Sequence, residues 1–170
     1  MRQHYPSIQL SGIVQVVEQY SPEDHCLMSK LKLVPELICE DIELTKKFYT
    51  EVFGFEIKYE RPEEQFAYFT LDGVDIMAEG IREVGRQWLT GKMEKPFGRG
   101  VNFQWDIANI DGLYSRVKAA APESIYLKME TQEYQCGEEL AVQKQFIVQD
   151  PDGYLFRFCC DNANARPAYA

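Results

Sequence analysis

One order of elements occurs twice along this chain, and no other feature narrows the fold as much. From Leu31, "LKLVPELIC" reads as a strand. Asp41 stands where a helix cap is needed, Leu44, Phe48, Tyr49, Val52 and Phe53 follow at helical spacing, and Gly54 ends the helix. "FEIKYE" alternates, with Phe55, Ile57 and Tyr59 against Glu56, Lys58 and Glu60. "FAYFTL" comes next, and the pair Asp72-Gly73 predicts a tight turn into "VDIMAEG". Residues 81–98 are polar and irregular, a connector with room for a short helix. Then the order restarts: "GVNFQWDI", an Asn109 cap before Ile110, Leu113, Tyr114 and Val117, "SIYLKM", a longer loop, "KQFIVQ", a turn ending in Asp152-Gly153, and "YLFRFCC". The repeat, over about 31–80 and 99–162, implies an α+β domain at 31–170 built from two paired βαβββ modules. Residues 1–30 have no sustained period, are broken by "SPED", and form an N-terminal extension.

Charge excludes some functions. With 18 basic and 27 acidic side chains the net charge is -9. Nucleic acid and anionic membrane surfaces require basic patches, so neither is an expected partner. No apolar run is long enough to span a bilayer, and the first residues lack the pattern of a secretory leader. The five cysteines are odd in number and include no C-x-x-C pair. The adjacent Cys159 and Cys160 point to opposite faces of a strand and cannot readily bridge each other. Reduced thiols in a cytoplasm are expected.

The phrases "KKFYTEVFGFEIKYE", "FAYFTLDGVDIMAEG", "GRGVNFQ" and "VQDPDGYLFRF" resemble the glyoxalase/bleomycin resistance/dioxygenase superfamily, the vicinal oxygen chelate proteins, and most of all its bleomycin-resistance-like branch. The resemblance covers residues 31–162. It implies sheets that curl around a cleft, commonly in a homodimer with sites near the subunit interface. Enzymes of the family hold a divalent metal with four side chains, and the matching positions here are Val34, Met77, Asn102 and Arg157. A valine, a methionine and a permanently charged guanidinium do not hold a hard metal. No metal and no other cofactor is therefore expected. The only two histidines, His4 and His25, lie in the extension.

Alternation assigns the cleft lining. Val101, Phe103, Trp105 and Ile107 form an apolar face opposite Asn102, Gln104 and Asp106. Likewise Tyr154, Phe156 and Phe158 oppose Leu155, Arg157 and Cys159, Ile76 and Ala78 oppose Asp75, Met77 and Glu79, and Ala67 and Phe69 oppose Phe66, Tyr68 and Thr70. On this reading Asp75, Glu79 and Asp106, with Glu36 in addition, outweigh Arg157. Phe66 and Tyr68, with Trp88 and Tyr134 from loops, add flat aromatic surface. Arg157 pairs with Asp75 or Asp106, or meets an acceptor on the ligand. Such a lining suits a cationic aromatic small molecule. The leading expectation is a metal-free binding protein that sequesters such a molecule. The alternatives are a metal-independent enzyme of lyase or isomerase type, with Glu79 or Asp106 as base and Arg157 on an oxyanion, and a scaffold with vestigial clefts.

Overall fold

The computed structural model describes residues 33–161. The N-terminal extension, with His4, His25 and Cys26, lies outside the described residues. Module 1 contains β1 (Glu36–Cys39), α1 (Ile42–Phe48, continued by a wider π turn over Tyr49–Phe53), β2 (Glu56–Arg61), β3 (Phe66–Leu71) and β4 (Val74–Gly80). Module 2 contains β5 (Asn102–Asp106), α2 (Ile110–Ala120), β6 (Ile125–Cys136), β7 (Glu139–Gln149) and β8 (Leu155–Asp161). The sheet orders are β1-β4-β3-β2 and β5-β8-β7-β6. In each sheet the first and last strands pair in parallel and the remaining pairs are antiparallel. The predicted duplication of a βαβββ unit is therefore present.

Local signals act where the sequence placed them. Asp41 accepts the backbone N–H groups of Glu43 and Leu44, and Asn109 accepts that of Gly112, so both helices start on a side-chain cap. Asp72 and Gly73 both take positive φ (48° and 78°), as a two-residue hairpin turn requires. Three readings need correction. Leu44 is exposed, and the buried face of α1 runs through Ile42, Thr45, Tyr49, Val52 and Phe53, a helical stripe that leaves Leu44 on the opposite side. The longer loop of module 2 is absent: β6 and β7 form one long hairpin that turns at Gly137 and Glu138. Its outer half, "ETQEYQC", carries no apolar alternation, so only the backbone ladder marks it as strand. The connector between the modules holds no helix, although Phe97 is buried from it.

The two modules share one core, made by their apolar faces. Phe53 meets Phe156 and Phe158 at ring separations of 5.1 and 5.2 Å, Tyr49 meets Phe156 at 5.6 Å, and Phe55 meets Trp105 at 5.5 Å. These tilted and edge-on contacts are the favourable aromatic geometries. Polar contacts join the modules beside them: Tyr154 donates its hydroxyl to the Ile38 carbonyl (3.1 Å), and the Glu40 N–H donates to Asp152 (3.0 Å). With the apolar faces turned inward, the polar face of each sheet points away from the shared core.

Candidate functional site

Strand register sets the polar face of module 1 in rows. Glu36, Met77, Tyr68 and Tyr59 stand opposite one another across all four strands. The next row is Ile38, Glu79, Phe66 and Arg61. Tyr59 reaches this face because the ladder slips between Ile57 and Tyr59, where Lys58 is the extra residue of a bulge. Strict alternation had put Tyr59 with the apolar residues, and no side-chain pattern in "FEIKYE" announces the slip. Tyr59 stacks on Tyr68 at 5.0 Å and on Phe66 at 5.9 Å, and the Arg61 guanidinium lies 3.7 Å above the Phe66 ring. Phe66 and Tyr68 are consequently buried, and Tyr59, 48% exposed, is the ring a ligand would meet.

The expected negative excess is not what a ligand would find here. Asp75 is buried and accepts from Lys58 Nζ (2.5 Å) and from the Tyr68 hydroxyl (2.8 Å). Burial disfavours its charge, but the bonds from Lys58, Thr70 and Tyr68 outweigh that and hold the carboxyl below its usual range. The same burial, with Asp75 adjacent, pushes the Tyr68 hydroxyl up to about 12. Glu79 is buried against Arg82. Of Glu36, Asp75 and Glu79, only Glu36 makes no ion pair with the described residues; its carboxyl is raised by partial burial and by Glu79, against an opposing pull from Arg61.

Module 2 presents the matching rows. Gln104, Arg157, Ile147 and Leu127 form one, and Asp106, Cys159, Gln145 and Glu130 the next. Arg157 Nη2 donates to Gln104 Oε1 at 2.6 Å. It pairs with neither of the expected carboxylates: Asp75 is taken by Lys58, and Asp106 accepts the Cys159 thiol at 3.1 Å. Asn102 and Gln104 are exposed on this face. Tyr134 belongs to β6, not to a loop, and with Glu130 it fixes the buried Gln145 amide (2.9 Å to each). Trp88 sits on the connector, 69% exposed, with Arg86 4.1 Å above its ring, and belongs to neither sheet. The ten predicted positions thus divide into four on module 1, five on module 2, and Trp88. Sequence reasoning missed Tyr59, Lys58, Arg82 and Gln145, whose roles depend on register and on partners distant in the chain.

A family model for the glyoxalase/bleomycin resistance protein/dioxygenase superfamily matches residues 24–158. The chain belongs to that superfamily. A solved superfamily member from Vibrio splendidus is 53% identical and aligns over 76% of this chain and 97% of its own, with a TM-score of 0.37. TioX from a Micromonospora species shares the fold at 19% identity, over 76% of this chain and 98% of its own, with a TM-score of 0.53. The fosfomycin resistance protein FosX from Listeria monocytogenes is 18% identical over 80% of this chain and 94% of its own, with a TM-score of 0.49. No curated protein matches.

For a member of this superfamily, a metal is the group to test against the residues present. Register sets a facing residue against each last-strand position: Glu36 stands opposite Met77 and Gln104 opposite Arg157, while Val34 precedes β1 and Asn102 lies one row away. The facing set is one carboxylate, one thioether, one amide oxygen already bonded to a guanidinium, and that guanidinium. It does not fit a hard divalent ion, which needs several oxygen or imidazole donors and no adjacent fixed cation. Among the described residues no three His, Cys, Asp or Glu side chains are grouped to hold a metal. Among the same residues no helix is long and apolar enough to cross a membrane.

Proposed function

We propose that this superfamily member is a binding protein that takes up a planar, positively charged small molecule on the polar face of module 1 and breaks no bond in it. One observation carries the reading: the row Tyr59–Tyr68–Met77–Glu36 sets an exposed aromatic ring at one end and an unpaired carboxylate at the other. Three strand spacings separate the ends, roughly 14 Å, the length of a drug-sized ligand. A flat cation would stack on Tyr59 and place its charge toward Glu36, with the polarizable Met77 between them. The reading includes a homodimer, because among the described residues each sheet leaves its edge strands unpaired (β1 and β2, β5 and β6), and a cytoplasmic setting for the reduced thiols.

Fluorescence titration with ethidium, and calorimetry with bleomycin, test it. Binding near micromolar is expected, unchanged by EDTA, with the ligand recovered intact. Glu36→Gln should weaken it roughly 10-fold, the cost of one charged partner. Tyr59→Ala should weaken it similarly through lost stacking. Absence of binding by either compound at hundreds of micromolar, or recovery of an altered ligand, would overturn the reading.

A further inference from the structure

We propose that the polar face of module 2 is a second ligand site of opposite preference, one that takes a carboxylate or phosphoryl oxyanion on Arg157. Arg157 lies on β8, an inner strand, and is half-buried. Its row neighbours are Gln104 and Ile147, and Leu155 and Cys159 flank it along the strand. None of these is anionic. The cations on the module 1 face each have a carboxylate: Lys58 has Asp75, Arg61 has Glu64, and Arg82 has Glu79. Among the described residues Arg157 has no such partner. It makes one bond, from Nη2 to the Gln104 amide oxygen, while its Nε is buried with no acceptor. The carboxylates of the adjoining row are engaged elsewhere, Asp106 by the Cys159 thiol and Glu130 by the Gln145 amide.

A guanidinium partly removed from water and left without a counter-charge is unfavourable unless something supplies one. The fork of an arginine matches two oxygens of a planar or tetrahedral anion. Gln104 fixes one edge of that fork, and the exposed Asn102 amide, one row away, adds a neutral donor for a further oxygen. Module 1 carries Met77 at the equivalent place, so the two faces of one chain accept groups of opposite charge. The inference does not rest on the cation reading, because Glu36 and Tyr59 belong to the other sheet.

Two substitutions test it, with benzoate, phenylphosphonate and inorganic phosphate as probes and chloride as control. Wild-type protein should be stabilised saturably by at least one probe. Response to benzoate alone assigns a carboxylate site, and response to the phosphorus anions assigns a phosphoryl site. Arg157→Met should abolish the response. Gln104→Glu keeps Arg157 but gives it an internal counter-charge. It should weaken probe binding roughly 10- to 100-fold and leave the melting temperature equal or higher. Should Arg157→Met fail to fold, Gln104→Glu decides alone. The inference is overturned if no probe stabilises the wild type, or if either folded variant binds as the wild type does. Ethidium binding should be unaffected by both changes, which separates failure here from failure of the module 1 reading.

Discussion

Asp150 is a carboxylate held well away from its ordinary state. It is buried and accepts four hydrogen bonds: Oδ1 takes the N–H groups of Asp152, Gly153 and Tyr154, and Oδ2 takes the Tyr49 hydroxyl (2.8 Å). It therefore ties the last turn of module 2 to the helix of module 1. Burial pushes its carboxyl up to about 6 from an ordinary 3.8, against the lowering effect of those bonds. Asp152 beside it adds repulsion, while Lys95 and the Thr45 hydroxyl reach Asp152. A raised folded pKa means that the folded protein holds the proton more tightly than the unfolded chain. The stability this group contributes is full below its ordinary value and is lost as pH rises through about 6. Asp150→Asn keeps the acceptor for the three N–H groups but does not titrate. Melting temperature should fall more between about pH 4 and pH 7 in the wild type than in the variant. Parallel profiles would show that Asp150 does not titrate in this window.

At the scale of elements, the turns differ sharply in how much they constrain. Gly153 has φ of 101°, and a Cβ there would lie 2.4 Å from Pro96 Cβ and 2.7 Å from Pro96 Cα. Gly137, at the tip of the β6–β7 hairpin, has φ of 66° and nothing within 4 Å of a Cβ. Gly137→Ala should cost only the positive-φ penalty, about 1 kcal/mol. Gly153→Ala adds a backbone clash at the junction of connector and module 2, and should cost about 2 to 4 kcal/mol. Urea denaturation of both variants distinguishes them; equal losses would mean that the connector yields freely at Pro96. Neither difference is visible in the sequence, where both residues are glycines in polar turns.

At the scale of the molecule, the shared aromatic core fixes module to module, and among the described residues the sheet edges remain open. The twelve-residue β6 is the longest of the described strands and lies at the edge of its sheet among them. Long edges with exposed backbone groups are commonly covered by another chain. Light scattering of the purified protein at tens of micromolar should return about twice the chain mass of 19.7 kDa. The mass of a single chain would remove the homodimer from the proposed function.

Local chemistry settled what depends on few neighbours. Asp41 and Asn109 cap because their own side chains reach the first turn, Asp72-Gly73 turns because both residues tolerate positive φ, and the period of two in "FAYFTL", "VDIMAEG" and "YLFRFCC" assigns each side chain to a face. That was enough for two βαβββ modules and for the lists of inward and outward residues on those strands. Pairing across strands was decided only in three dimensions. A one-residue bulge turned Tyr59 to the polar face, and the start of the β1 ladder put Glu36, not Val34, opposite Met77. Charge balance followed from the same pairing. Asp75 and Glu79 are as acidic in the sequence as Glu36, yet Lys58 and Arg82 neutralise them, and Arg157, for which Asp75 or Asp106 was one of two expected partners, bonds to Gln104 instead of either. Composition counts charges, but an ion pair depends on distance, and distance between residues far apart in sequence is set by the tertiary fold.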